Sequence, residues 1–186
     1  LVITSFPPDT SGTASSTGFI ISMPGFRRAA ITMVFEKETN AMYDNPILYA
    51  DGTAKKEDLD RIEQKFHVKI PGEMREHYLA YNGGRPERTV FTDKNGDEYF
   101  VDLFIPVRER FKRPIEKTLE LLRADGGVIS DWLIPFAEEI EGNFFCFSAR
   151  ESDFGAIYYY KHKFEYGEDP EEHITYLAES ITAFIN

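Results

Sequence analysis

IPFAEEIEGNFFCFS, running from Ile134 to Ser148, is the stretch on which the fold turns. Trp132 to Ala137 reads as one strand and Asn143 to Phe147 as the next. Both are apolar runs of strand length bounded by turn residues. The link Glu138 to Gly142 is acidic and turns at Glu141-Gly142. A second signal lies upstream. Asn82-Gly83-Gly84 closes the segment that begins at Pro71, and Asn and Gly tolerate the left-handed backbone on which helices often end.

Outward from these two points the elements fall into order. Leu59, Ile62 and Phe66 recur at helical spacing after a start near Thr53 or Ala54. Pro71 suits the first turn of a second helix, with Met74, Tyr78 and Tyr81 along it. Thr89 to Thr92 and Glu98 to Ile105 flank Asp93-Lys94-Asn95-Gly96-Asp97, a hairpin signal because Asn and Gly both accept positive φ. Pro114 opens a helix carrying Ile115, Leu119 and Leu122. Ala156 to Phe164 is a third strand of the later group, rich in Tyr. Leu177, Ile181, Phe184 and Ile185 predict a last helix, for which Ser180 offers a shorter, capped alternative. Ile47, Leu48 and Tyr49 form a short strand or a strap. The expected class is α+β, a mainly antiparallel sheet with helices packed on it.

At 186 residues the chain fits one domain or two small ones. The first 32 residues differ from the rest. Ser, Thr, Gly and Pro dominate, and the charges are Asp9, Arg27 and Arg28, a net of +1 that leaves −12 for residues 33–186 of a −11 chain. The stretch is expected to be a disordered tail, or upstream sequence outside the native protein. Residues 33–186 form the domain. The apolar patch Phe19 to Met23 is too short for a signal-peptide core. No apolar run reaches the ~18 residues of a membrane span.

Residue types for bond-making chemistry are sparse. His67, His77, His162 and His173 fall in no zinc-protease motif, and one cysteine cannot form an intramolecular disulfide or a Cys pair for zinc. Cys146 in an aromatic strand reads as a small inert apolar residue. Glu73 and His77 share a helix face, as surface contacts do. Phosphate loop, dinucleotide fingerprint and nucleophile elbow are all missing. Catalytic residues, metal and cofactor are therefore expected to be none. The basic cluster Arg108, Arg110, Lys112, Arg113 and Lys117 is interleaved with Glu109 and Glu116 in an acidic chain, which argues against direct nucleic-acid binding. A lone cysteine suits a reducing, cytoplasmic setting.

Charge placement is more informative. Residues 164–186 hold Glu165, Glu168, Asp169, Glu171, Glu172 and Glu179 with no Lys or Arg. Residues 131–141 hold Asp131, Glu138, Glu139 and Glu141, again with no Lys or Arg. Each is a solvated face taken alone. On one side of the molecule they would make a negative field that steers a basic partner. The candidate contact pool is therefore Asp131, Glu138, Glu139, Glu141, Glu168, Asp169, Glu171 and Glu172.

A resemblance now adds to this reading. Ile62-Glu63, Ile70-Pro71 and Tyr78-Leu79 with Asn82-Gly83-Gly84 resemble the start of the SUKH superfamily, the Smi/Knr-like domains. Ile134-Pro135-Phe136, Gly142-Asn143 with Phe145-Cys146-Phe147, the Gly155–Tyr158 run, and Ala178-Glu179-Ser180 with Phe184 continue it to Asn186. Ile181 stands where the family usually has an aromatic residue. The resemblance implies an α+β fold without a catalytic site. It implies an immunity protein that binds and neutralises a toxin, often a nuclease, or a regulatory scaffold like the fungal relatives. The matched motif residues Asn82, Gly83, Gly84, Pro135, Gly142 and Asn143 look structural, so they carry over no partner contact.

Overall fold

A computed structural model describes residues 2–5, 19–22, 30–31, 42–108, 113–124, 129–162 and 169–186. The chain divides into two compact units, Leu1–Asn40 and Ala41–Asn186. In the first, β1 (Val2–Ser5), β2 (Phe19–Ser22) and β3 (Ala30–Ile31) pair antiparallel in the order β1-β2-β3. Three strands thus stand in a stretch whose composition suggests none.

The second unit is built on β9 (Leu133–Glu138), β10 (Phe144–Ser148), β11 (Ile157–Tyr160) and β12 (Ile174–Ala178). With β8 (Leu103–Phe104) they form a five-stranded antiparallel sheet ordered β12-β11-β10-β9-β8. The register slips between Phe145 and Cys146, so that Cys146 faces Pro135 and Phe145 faces Ala137. Pro135 has no N–H for a regular ladder, and this irregularity is where an inner strand tolerates it. Phe136, Phe145 and Phe147 are buried, and Phe136 and Phe145 close on Phe184 of α4 (Ile181–Ile185) at 6.0 and 5.5 Å between ring centres.

Helices α1 (Lys56–Phe66), α2 (Gly72–Ala80) and α3 (Ile115–Arg123) bury Leu59 and Ile62, Met74 and Tyr78, and Ile115, Leu119 and Leu122 respectively. The Asp58 carboxylate accepts the Lys55 N–H at the start of α1, and Glu63 Oε1 accepts the Ile70 N–H beyond its end. A hairpin of β6 (Val90–Thr92) and β7 (Glu98–Phe100) stacks Phe91 on Phe184 and sets Tyr99 against Tyr159. β4 (Ile47–Leu48) pairs with β5 (Arg85–Pro86).

Several expectations are corrected. Leu177 lies on β12, not on a last helix, and the short version capped by Ser180 forms instead, its Oγ accepting the Ala183 N–H at 3.3 Å. Pairing with β11 outweighs the helical spacing of four apolar residues. The strand expected over Glu98 to Ile105 is two, β7 and β8, joined to different sheets. In the Asn95-Gly96 turn only Gly96 has positive φ, because Asp93 Oδ1 accepts the N–H groups of Asn95 and Asp97 and shapes the turn itself.

The Asn82-Gly83-Gly84 segment does not end α2 in the way a left-handed stop would. Tyr81 follows Ala80 in extended backbone, and the glycines serve a crossing instead. Gly83 and Gly84 have φ of 79° and 104°. A Cβ on Gly84 would lie 2.8 Å from the Leu48 carbonyl oxygen, so the chain passes β4 too closely for any side chain. Asn82 is 2% exposed and holds the crossing, its Oδ1 accepting the N–H groups of Val107 and Arg108 at 2.9 and 3.0 Å.

Candidate partner-binding face

The acidic residues divide into two groups. Glu171 Oε1 accepts from Ser130 Oγ and, at 3.3 Å, from Trp132 Nε1, which brings the 169–172 turn beside exposed Asp131. Asp169 caps that turn by accepting the Glu171 N–H, and Glu172 is exposed. Glu138, Glu139 and Glu141 sit at the β9–β10 tip. The ladder Glu138↔Phe144↔Tyr160↔Ile174 puts three strand spacings, about 14 Å, between that tip and the start of β12. Glu139 is tied into its own hairpin, where Oε1 accepts from Tyr159 Oη at 2.7 Å and from Asn143 Nδ2. Burial and this carboxylate push the Tyr159 phenol up. Glu138 Oε2 lies 3.9 Å from Arg113 Nη2. Glu168 is outside the described residues.

Beside the tip, the structure exposes large apolar side chains that the sequence does not single out. Ile140 is 89% exposed, between Glu139 and Glu141, and Phe100 is 54% exposed. Together with Thr89 and Asp102 these residues line a concavity of about 240 Å³. A neighbouring one of about 350 Å³ is lined by Tyr49, Asp51, Gly83, Gly84 and Pro106. Arg85 and Asp102 border both, with Arg85 Nη2 3.9 Å from Asp102 Oδ1. One continuous face therefore combines exposed apolar groups with Asp51, Asp102, Glu139 and Glu141.

A second cluster also went unpredicted. The Arg150 guanidinium lies 3.6 Å from the Trp132 ring centre and holds Asp153 through two hydrogen bonds of 2.8 and 2.7 Å. Ser148 Oγ donates to Asp153 at 2.6 Å, and Tyr158 Oη donates to the same carboxylate. Arg150, with help from the two hydroxyls, holds Asp153 well below the usual carboxylate range. The local signal was Arg150 and Asp153 three residues apart; Trp132 and Tyr158 join only through strand pairing.

Two of the residues weighed for chemistry, His77 and Cys146, lie in the core, whereas His67 and Glu73 are exposed. His77 is fully buried, not a surface contact of Glu73. Its Nδ1 meets Tyr43 Oη at 3.1 Å, and burial lowers its pKa to about 3. Glu73 reaches α4 instead and accepts the Thr182 N–H at 3.3 Å. Cys146 is buried, and burial raises its thiol well above the ordinary range. Among the described residues no group of three or more His, Cys, Asp or Glu could hold a metal ion, and no helix is long and apolar enough to cross a membrane.

No curated protein matches the chain at a significant level. Residues 53–186, well over half of it, match the SMI1 / KNR4 family (SUKH-1), and they contain α1 to α4 and the whole five-stranded sheet. The chain belongs to the SMI1/KNR4 (SUKH-1) family.

Proposed function

We propose that this protein is a non-catalytic binding domain of the immunity type, which holds a basic toxin domain of the nucleic-acid-cleaving kind and neutralises it in the cytoplasm. The observation that carries this reading is Ile140, an aliphatic side chain 89% exposed between Glu139 and Glu141 and beside Phe100. An apolar anchor ringed by carboxylates suits a partner whose own surface is positive. Apolar burial supplies lasting affinity, while the acids accelerate encounter and select the sign of the partner. The net charge of −11 reinforces the selection, because a nuclease presents cationic groups for its substrate.

The test is binding to a purified basic nuclease toxin domain, taken from the gene's own neighbourhood where one is encoded there, followed by stopped-flow and calorimetry. Ile140→Ala is expected to raise Kd about tenfold, mainly through faster dissociation. Glu141→Lys is expected to slow association several-fold at low salt, an effect that fades as the Debye length shrinks from ~10 Å at 0.1 M to ~3 Å at 1 M. Tight binding indifferent to both changes would refute this face, and absence of binding would refute the immunity role.

A further inference from the structure

We propose that the concavity between Tyr49 and Gly83-Gly84 is a socket for an arginine side chain of the partner protein. This rests on the reading that the face binds a basic protein, and it names the group that enters. Tyr49 is the starting point. The residue is 88% exposed although its φ is +57°, a left-handed conformation that bulky residues resist. His67 has a similar φ of 54°, but it ends α1, where the next N–H returns to the Glu63 carbonyl at 3.2 Å. Tyr49 terminates no helix and packs almost none of its side chain.

Its backbone is fixed from both sides. Leu48 pairs with Arg85, and Asp51 N–H donates to the Asn82 carbonyl at 3.1 Å. Between these two ties the chain presses against Gly84, where a Cβ would come within 2.8 Å of the Leu48 carbonyl oxygen and 3.1 Å of the Ala50 Cα. The backbone that carries Tyr49 at the wall of the groove is therefore a rigid frame, which lowers the entropy lost on binding.

The groove offers complementary chemistry. It is about 350 Å³, large enough for one long side chain, and its walls include Phe104, Pro106 and the glycine backbone. Asp102 supplies a carboxylate at the wall, and its ion pair with Arg85 at 3.9 Å is longer than a hydrogen bond, which leaves its oxygens able to accept from a second guanidinium. A cation is drawn to carboxylates and to the face of an aromatic ring alike. A guanidinium fits better than an ammonium, because it is planar, stacks on the ring and sheds its weaker hydration more easily.

The experiment titrates the full chain with N-acetyl-arginine methylamide and with its neutral isostere N-acetyl-citrulline methylamide, followed by amide NMR. The arginine compound should give saturable shifts clustered at Tyr49, Asp51, Gly83, Gly84 and Asp102, with a Kd in the millimolar range. Citrulline should bind at least ~5-fold more weakly, since it keeps the shape and loses the charge. Tyr49→Ala and Asp102→Asn should each weaken the arginine response and leave the fold unchanged, as Tyr49 is almost wholly exposed. Equal responses to the two compounds, or no saturable shift at these amides, would overturn the socket. So would a toxin domain that binds Tyr49→Ala as tightly as wild type, and that result would leave the immunity reading standing. Arginine binding here by a chain that ignores the toxin would uphold the socket and remove the immunity reading.

Discussion

Two segments of this chain look alike in sequence and behave differently in the fold. Asn82-Gly83-Gly84 and Gly142-Asn143 each combine a buried asparagine with glycine at positive φ. Asn82 ties distant parts together: it serves Val107 and Arg108, and its main chain exchanges hydrogen bonds with Asp51 and Gly52. Asn143 serves its own hairpin and the next strand's end, bonding Glu139 and accepting the His162 N–H at 3.0 Å. A Cβ on Gly84 would collide with the Leu48 backbone, whereas one on Gly142 would meet nothing within 4 Å. The first segment is a junction where three stretches of backbone cross; the second is a turn whose glycine is needed for its dihedral alone.

The comparison breaks most visibly at the asparagines. Asn82→Ala removes the acceptor of a buried hydrogen bond from the Val107 N–H and of a part-buried one from the Arg108 N–H, and should cost roughly 2–4 kcal/mol, against about 1–2 kcal/mol for Asn143→Ala. Urea denaturation of both variants measures the difference, and equal losses would erase the distinction between junction and turn. The glycines come next. Gly84→Ala adds a close contact to an unfavourable φ and should cost about 3 kcal/mol, while Gly142→Ala meets only the dihedral cost of about 1 kcal/mol. Their melting temperatures should rank in that order.

Acid sharpens the contrast further, because α2 carries a buried histidine into the junction. Burial holds His77 near pKa 3 in the folded protein, against about 6.5 when unfolded. Below pH 6.5 the unfolded chain therefore takes up a proton that the folded one refuses. Stability is fully present above pH 6.5 and falls as pH drops from there toward 3, with a limiting slope of about 1.4 kcal/mol per pH unit from this group. His77→Phe should remove that contribution, which unfolding curves at pH 7, 6 and 5 would reveal as a shallower decline. The smallest effect is expected at Tyr49→Gly, a gain of about 0.5–1 kcal/mol from relieved backbone strain. A loss there would mean the ring stabilises the junction rather than serving a partner.

How much of this was legible in the sequence follows from the range of the interactions. The β9–β10 hairpin, α1 to α3 and the Asn95-Gly96 turn announce themselves through local pattern. β12 does not, because Leu177 fits a helical spacing with Ile181 and Phe184, and only its long-range pairing with β11 makes it a strand. His77 read as a surface residue since nothing nearby in sequence reveals Tyr43 or Phe104 packing on its ring. The acidic pool was visible as composition, but its division depends on which strands lie between the two segments. Tyr49 gave no signal, as a strained φ is a property of the crossing and not of the tyrosine.

β12 lies at the margin of the five-stranded sheet and pairs, among the described strands, with β11 alone. Its five residues include Tyr176, 45% exposed, and an unpaired strand margin is a template for adding another copy of the chain. Positive charge, the commoner guard, is missing here: Glu171, Glu172 and Glu179 flank the strand, and no Lys or Arg occurs from 164 to 186. The guard is thus mutual repulsion between like-charged copies, and its strength follows the net charge. The sequence pI is about 4.9, so this repulsion is expected to fade as the pH falls toward that value, and light scattering across pH should show self-association rising there.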